Sequence, residues 1–375
     1  LMAGGGWRVG IDVGGTFTDI VAQAADGRVA SAKATTDTAD ALTALGQCLD
    51  AIGLRWDSVT DLVHGTTRIT NAIVEGKLAR VTLVATEGFA DVLAIGRQNR
   101  HSLYNLAAAP KAPPLVPDEQ RLDVSERVGP DGAVLTPLGD DVIDKTVKAV
   151  AETASEAVAV CLLHAYAHGD HEKRLGDALR QACEHVALSH EISPEAREYE
   201  RTATTALSAA VMPSAQRYLM QLSEGLPDAI TLHMVQSNGG MASANAMTAK
   251  PLGLAMSGPA AGVTAAAAVA RDLGIDKALA FDMGGTTTDV SLVQDGAVSI
   301  TAQRPIGDTP VRQPMVDVRS VGAGGGSIAA AASGGLSVGP ASAGADSGQR
   351  SLQEHHRSGS DCGRRLGRVS MSRGQ

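Results

Sequence analysis

The segment VGIDVGGTFTDI at residues 9–20 recurs as LAFDMGGTTTDV at residues 279–290. Each copy contains an apolar strand, an aspartate, an apolar residue, Gly-Gly-Thr, two more residues, a second aspartate and a second apolar strand. This pattern predicts a β-hairpin whose glycines let backbone N–H groups approach phosphate oxygens. Two ordinary hairpins with acidic caps are the alternative, and the repetition of every position at an offset of 270 residues disfavours it.

The two predicted hairpins supply the candidate residues for binding a nucleotide. Asp12 and Asp282 are the candidate metal residues, because an aspartate at a strand end can hold Mg²⁺ through water. Burying an unpaired carboxylate is costly, so we expect a cation or a nest of N–H groups beside each one. Two such hairpins facing each other would clamp a triphosphate from both sides. The residues expected to contact phosphate are Gly14, Gly15, Thr16, Gly284, Gly285, Thr286 and Thr287.

The second aspartate of each copy has two interpretations. Asp19 and Asp289 either support the site from behind or cap their hairpins. Asp289 is also a candidate for orienting a water or polarising the reacting oxygen. The catalytic candidates are Asp12, Asp282 and Asp289, together with His64, which lies in a different part of the sequence.

His64 and a glycine run complete the set of candidates. His64 precedes Gly65-Thr66-Thr67, where the pattern changes from strand to helix. Because helix N-termini attract anions, His64 is a candidate for polarising a substrate carbonyl or contacting phosphate. A packed histidine hydrogen-bonded to a loop fits the sequence equally well. Gly324 and Gly325 are candidate nucleotide contacts, although their loop also fits a substrate contact or a simple turn.

The composition is that of a globular α/β protein. The 375 residues are 44% hydrophobic, carry a net charge of −9 and have a mean hydropathy of +0.01. Strand-like and helix-like segments alternate, which predicts both parallel and antiparallel strand pairs. The acidic balance argues against nucleic acid as a partner. The longest apolar runs are too short to cross a bilayer, so no membrane association is expected.

The cysteines and the first residues predict a cytoplasmic location. The four cysteines are scattered without C-x-x-C spacing, which fits a reducing compartment better than a zinc site or a disulfide scaffold. Strand-like sequence begins at Trp7, which leaves no room before it for a secretory signal peptide.

The tail at residues 347–375 differs from the rest of the chain. It carries a net charge of +4, whereas residues 1–346 carry −13, and it has no apolar periodicity. Arg, Ser, Gly and Gln dominate it, as they do in a shifted reading frame of a GC-rich gene. We expect an out-of-frame, disordered tail, and a solvated basic tail is the alternative.

Beyond the two hairpins, residues 7–346 resemble the first half of the hydantoinase A/5-oxoprolinase family, which includes the acetone carboxylase β subunit. The blocks that carry the resemblance are collinear with that family: GIDVGGTFTDIV (10–21), HGTTRITNAI (64–73), TEGFADVLAIGRQ (86–98), SPEAREYERTATT (193–205), QSNGG (236–240), SGPAAGV (257–263), FDMGGTTTDVSLV (281–293) and VGAGGGSIA (321–329).

The resemblance implies a fold and a domain order. The fold is α/β, with actin-like ATPase (ribonuclease H-like) lobes of mixed sheets and flanking helices, the second lobe being truncated. Residues 1–190 would form the hydantoinase/oxoprolinase N-terminal domain with the first phosphate hairpin. Residues 191–346 would begin the hydantoinase A domain with the second hairpin, and residues 347–375 would be the tail.

The resemblance also implies a chemistry that uses ATP and Mg²⁺. The intact protein would be the A subunit of an ATP-dependent hydrolase that opens a five-membered cyclic amide, hydantoin or 5-oxoproline, after phosphoryl activation of the carbonyl. A B-type hydantoinase subunit is the expected partner, and the truncated chain is expected to be inactive alone. The alternatives are a carboxylase subunit like the acetone carboxylase β subunit, a chaperone-like ATP-binding lobe, and a gene fragment without function.

Overall fold

The computed structural model describes residues 6–14, 17–35, 41–99, 104, 112–284, 287–332 and 335–342. The chain divides into two compact units. The larger unit comprises residues 1–265 and 298–317, and the smaller unit comprises residues 266–297 and 318–375. Several candidates named from the sequence lie outside the described residues: Gly15, Thr16, Gly285, Thr286 and the tail 347–375.

The described residues form α-helices and β-strands, with the strands β13 to β20 following the last helix in succession. The helices are α1 Ala41–Ala51, α2 Arg68–Val74, α3 Val92–Ile95, α4 Asp140–Glu152, α5 Asp170–Leu179, α6 Ser189–Ile192, α7 Glu198–Gly225, α8 Ala244–Ala249 and α9 Ser257–Asp272. The strands are β1 Trp7–Val13, β2 Phe17–Ala24, β3 Val29–Thr35, β4 Val59–Thr66, β5 Val81–Thr86, β6 Arg121–Val124, β7 Arg127–Val128, β8 Val134–Thr136, β9 Ala157–Cys161, β10 His185–Leu188, β11 Thr231–Val235, β12 Met241–Ser243, β13 Lys277–Met283, β14 Thr288–Gln294, β15 Ala297–Val298, β16 Ile300–Ile306, β17 Thr309–Val316, β18 Arg319–Val321, β19 Ser327–Ala332 and β20 Gly335–Ser342.

A six-stranded mixed sheet of the larger unit contains the first hairpin. Its strand order is β12-β11-β4-β1-β2-β3. Strands β1, β2 and β3 are antiparallel, whereas β4 runs parallel to β1 and β11 runs parallel to β4. Ile11 and Ile20 of the hairpin pack in one buried cluster with Leu45 and Leu49 of α1. The carboxyl ends of β1, β4 and β11 therefore lie along one edge of this sheet.

A second sheet of the larger unit is entirely parallel, with the order β10-β9-β5-β6. Strands β5 and β9 are buried along their whole length, as their nearly continuous apolar sequences require. Helix α7 packs against this sheet through small side chains, among them Ala206 and Ala210. Pro213 lies inside α7, so it marks neither the start nor the end of this helix.

The smaller unit contains the second hairpin. Strands β13 and β14 are antiparallel, and β18 pairs with β14. Leu279, Phe281 and Met283 occupy alternate positions of β13 and are 64%, 60% and 57% exposed. Because alternate residues of a strand share one face, β13 presents an apolar face to solvent.

These sheets confirm the predicted fold class, which is α/β with mixed sheets and flanking helices. The hairpin predicted within residues 9–20 is present, and its first strand begins at Trp7, where strand-like sequence begins. The domain boundaries at residues 190 and 346 stay predictions. Within the described ranges, no helix combines the length and the apolar character that crossing a membrane requires.

A buried carboxylate connects the ends of β9 and β10. One oxygen of Glu172 accepts hydrogen bonds from the Leu162 backbone N–H at 2.8 Å and from the Ser189 hydroxyl at 2.6 Å. The other oxygen lies 2.8 Å from the backbone nitrogen of His190 and 2.7 Å from its Nδ1. The hydrogen bond to Glu172 raises the pKa of the His190 imidazole.

We predict that His190→Gln removes a pH-dependent part of the unfolding free energy. Because folding raises the pKa of His190, its protonated ring stabilises the fold fully below the unfolded value of about 6.5. This stabilisation is lost as the pH rises through the folded pKa. Urea titrations should therefore show a larger loss of stability in the variant at acidic than at alkaline pH. An equal loss at both ends of the range would contradict the assignment.

Candidate functional site

The two hairpins have the same backbone register. Asp12 lies opposite Asp19 in the first hairpin, and Asp282 lies opposite Asp289 in the second. The same hydrogen bond closes each turn: Gly14 N–H donates to the Phe17 carbonyl at 3.0 Å, and Gly284 N–H donates to the Thr287 carbonyl at 2.9 Å. The sequence repeat is therefore also a repeat of local structure.

The closed turns limit which amides can bind phosphate. The N–H groups of Gly14 and Gly284 already donate within their own turns, so they are not available as donors in this conformation. Thr287 is exposed beside its turn. The remaining predicted contacts fall on Gly15, Thr16, Gly285 and Thr286, which lie outside the described residues.

The Asp12 carboxylate lies against two glycines. A Cβ atom at Gly258 would lie 2.9 Å from Asp12 Oδ1, and a Cβ atom at Gly65 would lie 3.1 Å from the same oxygen. Gly258 is the second residue of α9, a helix of 16 residues. The amino end of a helix carries a partial positive charge, which favours an ionised carboxylate beside it.

One expectation about these aspartates is wrong. The sequence suggested buried carboxylates, but both Asp12 and Asp282 are exposed, so solvent can reach them. The reason is that Asp12 lies on the exposed face of β1 with Arg8 and Gly10, and that no residue of β13 around Asp282 is buried. The expected positive neighbour of Asp12 is nevertheless present as the amino end of α9.

Two contacts hold the start of α9 against β4 and α2. The Ser257 hydroxyl accepts a hydrogen bond from the Thr66 N–H at 3.1 Å and donates to the Thr66 carbonyl at 2.9 Å. The Met256 N–H donates to Thr70 Oγ1 at 2.8 Å. By binding a strand residue 191 positions away in the chain, the Ser257 hydroxyl fixes Gly258 beside the Asp12 carboxylate.

His64 lies beneath this edge of the sheet. Strand β4 continues to Thr66, two residues beyond the predicted strand end, so His64 is inside the strand and fully buried. Its Nε2 is 2.5 Å from the Tyr218 hydroxyl, and its Nδ1 has no hydrogen-bond partner among the described residues. Burial lowers the pKa of His64 to about 4, so the ring is neutral near pH 7.

Tyr218 is the residue that the sequence analysis missed. Burial raises the pKa of its hydroxyl to about 12, and a hydrogen bond with Thr66 opposes this shift. The Arg68 guanidinium lies 5.1 Å from the centre of its ring. Tyr218 is 154 residues from His64 in the chain, and its position in a long helix gave no sequence signal of this contact.

The second aspartates have different surroundings in the two hairpins. Asp19 forms an ion pair with Lys33 of β3 at 2.8 Å, on an exposed face. Asp289 accepts a hydrogen bond from the Ser320 hydroxyl of β18 at 2.5 Å. Both contacts join the hairpin to a further strand, β3 or β18, so the two interpretations of Asp19 and Asp289 stay open. The catalytic role of Asp289 stays a prediction.

The glycine run packs directly on the second hairpin. Gly325 N–H donates to the Gly284 carbonyl at 2.9 Å, and the Thr288 hydroxyl donates to the Ala323 carbonyl at 2.6 Å. Gly324 N–H donates to Ser327 Oγ at 2.8 Å. The structure thus brings Gly324 and Gly325 to the turn that follows Asp282, a proximity that the sequence left undecided.

Among the described residues, no group of three or more His, Cys, Asp and Glu side chains is arranged to hold a metal ion. Mg²⁺ is commonly held by only one or two carboxylates, with water and phosphate oxygens as the other ligands. The glycines beside Asp12 leave space that a Cβ would fill, so this carboxylate fits such a role.

Family models match nearly the whole chain. Residues 8–183 match the hydantoinase/oxoprolinase N-terminal region, and residues 201–372 match the hydantoinase/oxoprolinase model. The chain is 34% identical over 358 residues to the caprolactamase subunit alpha of Pseudomonas jessenii, covering 91% of this chain and 51% of that one. It is 29% identical over 398 residues to the 5-oxoprolinase of Saccharomyces cerevisiae, covering 92% of this chain and 30% of that one.

Solved structures show the same relationship. The nucleotide-free structure of acetone carboxylase superposes on this chain with a TM-score of 0.79 at 26% sequence identity. That structure is described as bearing on the mechanism of ATP-dependent acetone carboxylation. The match covers 92% of this chain and 52% of that one. The chain thus spans about half the length, or less, of these relatives. With both halves matched by family models and the fold shared with a solved relative, the chain belongs to the hydantoinase/oxoprolinase family.

Proposed function

We propose that this chain provides the ATP-binding part of an enzyme that opens a small cyclic amide. The observation that carries the proposal is the repeated hairpin, in which Asp12 and Asp282 have the same register beside equivalent glycine turns. The names of the relatives support it, since they include a caprolactamase and a 5-oxoprolinase. The solved structure of the Pseudomonas jessenii caprolactamase is described as ATP-dependent.

A cyclic amide resists hydrolysis because the opened chain readily closes again. ATP as co-substrate supplies a phosphoryl group that turns the amide oxygen into a leaving group, and Mg²⁺ neutralises phosphate charge. The protein then positions the reactants and stabilises the charge on the transferring phosphoryl group. We assign Asp12 and Asp282 to orienting the metal with its water ligands, and the turns 14–16 and 284–287 to phosphate.

The hydrogen bonds at the start of α9 explain how the surroundings of Asp12 are kept in place. Ser257 fixes the start of α9, which places the amino end of the helix beside the Asp12 carboxylate. The partial positive charge at this helix end attracts the carboxylate, whose oxygens can accept hydrogen bonds from metal-bound water. Because His64 is buried and neutral, we assign it a positioning role through Tyr218 rather than direct contact with substrate.

A carboxylase subunit is the second candidate, favoured by the structural likeness to acetone carboxylase. Relatives named as subunits, such as the caprolactamase subunit alpha, support the proposal of a separate B-type partner. The turnover assay should therefore include such a subunit. A cytoplasmic location remains part of the proposal.

One prediction of this proposal concerns the reaction itself. Addition of hydantoin or 5-oxoproline should stimulate ATP hydrolysis by the chain with a B-type subunit, and Asp12→Asn or Asp282→Asn should reduce this rate at least tenfold. Stimulation by acetone and bicarbonate alone would instead identify the carboxylase. Wild-type rates in both variants would contradict the assignment of the two aspartates.

A second prediction uses two glycines of the same helix. Gly258→Ala places a methyl group 2.9 Å from Asp12 Oδ1 and should weaken Mg·ATP binding about tenfold or more, measured by calorimetric titration. Gly262→Ala is the matched control, because a Cβ there meets no atom within 4 Å. This control should bind Mg·ATP normally and unfold at a slightly higher temperature, since alanine favours a helix. Equal affinities of the two variants would contradict the role of this contact.

A third prediction concerns the buried pair beneath the site. Tyr218→Phe leaves both ring nitrogens of His64 without a described partner in a fully buried position, which should cost about 1–3 kcal/mol of unfolding free energy. Tyr104→Phe is the control, because Tyr104 is 94% exposed. Urea titrations measure the unfolding free energy of both variants. A loss of turnover in Tyr218→Phe without a loss of stability would show that the pair acts in catalysis rather than in packing.

A further inference from the structure

A cavity of about 210 Å³ lies in the larger unit at the carboxyl end of β11. Its polar lining comes from the QSNGG block, from Ser208 of α7, and from Lys250 and Gln313, and its apolar lining includes Met247 and Leu252. Pockets for drug-sized ligands usually measure roughly 300–1,000 Å³, so this cavity suits a ligand about the size of one small ring. An apolar wall with a few polar groups is the usual composition of a small-molecule site.

One polar group of the lining lacks a hydrogen bond. Ser208 of α7 is fully buried, and its hydroxyl has no hydrogen-bond partner among the described residues. Buried hydroxyl groups are nearly always paired, so an unpaired one beside a cavity points to a ligand. Gln236 also lines the cavity, and its side-chain amide can both donate and accept a hydrogen bond.

The wall of the cavity is fixed by backbone contacts. Ser237 N–H donates to the Gly253 carbonyl at 2.7 Å, and Val316 N–H donates to the Ser237 carbonyl at 2.7 Å. The Gln313 side-chain amide donates to the Leu252 carbonyl at 2.8 Å. These bonds join three separate segments of the chain, so the cavity is formed before any ligand enters it.

The cavity and the Asp12 turn share one edge of the six-stranded sheet. Strand β4 is parallel to both β1 and β11. Asp12 near the end of β1 and Gln236 just after β11 therefore both lie at the carboxyl edge of the sheet. Neighbouring strands are about 4.8 Å apart, which separates the two strand ends by roughly 10 Å. Ligands of open α/β sheets bind at the carboxyl ends of such strands.

Building on the proposed function, we propose that this cavity holds the ring of the cyclic amide whose carbonyl is activated at the Asp12 turn. The Gln236 amide and the Ser208 hydroxyl bind the N–H and C=O edge of the ring, and Met247 and Leu252 cover its carbon atoms. Lys250 is the one charged residue in the described lining, so a carboxylate on the ring faces its ammonium group. The preferred ligand is therefore a small cyclic amide that bears a carboxylate.

The test measures ring binding and nucleotide binding separately on the 375-residue chain. Calorimetric titrations with 5-oxoproline, hydantoin and Mg·ATP compare Ser208→Ala, Gln236→Leu and Lys250→Met with the wild type. Ser214→Ala is the matched control, because Ser214 lies on the same helix and its hydroxyl bonds to the Val211 carbonyl away from the cavity. Thermal unfolding verifies that each variant is folded.

We expect Ser208→Ala and Gln236→Leu to weaken binding of both rings at least fivefold, while the affinity for Mg·ATP changes less than twofold. Lys250→Met should weaken binding of 5-oxoproline but not of hydantoin, and Ser214→Ala should change neither. Unchanged ring affinity in Ser208→Ala and Gln236→Leu, or no ring binding by the wild type, would overturn the assignment of the cavity. Failure of the wild type to bind Mg·ATP would instead overturn the proposed function, and the ring titrations would still report on the cavity.

Discussion

The contact between the Asp12 carboxylate and the backbone at Gly65 and Gly258 is the constraint on which the candidate site depends. A methyl group at Gly258 would lie 2.9 Å from the carboxylate oxygen and one at Gly65 would lie 3.1 Å from it, so either would displace the carboxylate from its present position. The contact also requires the start of α9 to stay beside β4, which the paired hydrogen bonds between Ser257 and Thr66 achieve. The charge of the helix end and the charge of the aspartate then stabilise each other without a buried ion pair.

The sequence predicted the local parts of this arrangement well. The pattern from Asp12 to Asp19 predicted a hairpin, and the same pattern from Asp282 to Asp289 predicted a second one. In the structure the two aspartates of each hairpin lie opposite each other. Residue identity alone identified these features because a glycine turn between two apolar strands admits few other conformations. The α/β class followed from alternating apolar patterns in the same way.

Contacts between distant segments could not be predicted from the sequence. The partners Ser257–Thr66 and Tyr218–His64 are 191 and 154 residues apart, and no local pattern encodes such pairings. For His64 the sequence left a ligand contact and a packed histidine equally open, and the structure shows a packed histidine, because β4 continues to Thr66 and buries the ring.

The most direct test of this account is a crystal structure of the chain with Mg²⁺ and a non-hydrolysable ATP analogue. The account predicts phosphate oxygens bound to backbone amides of the turn that follows Asp12, with a metal-bound water on the Asp12 carboxylate. A bound nucleotide whose phosphates contact neither this turn nor the turn that follows Asp282 would contradict the central claim that the repeated hairpins are phosphate-binding elements.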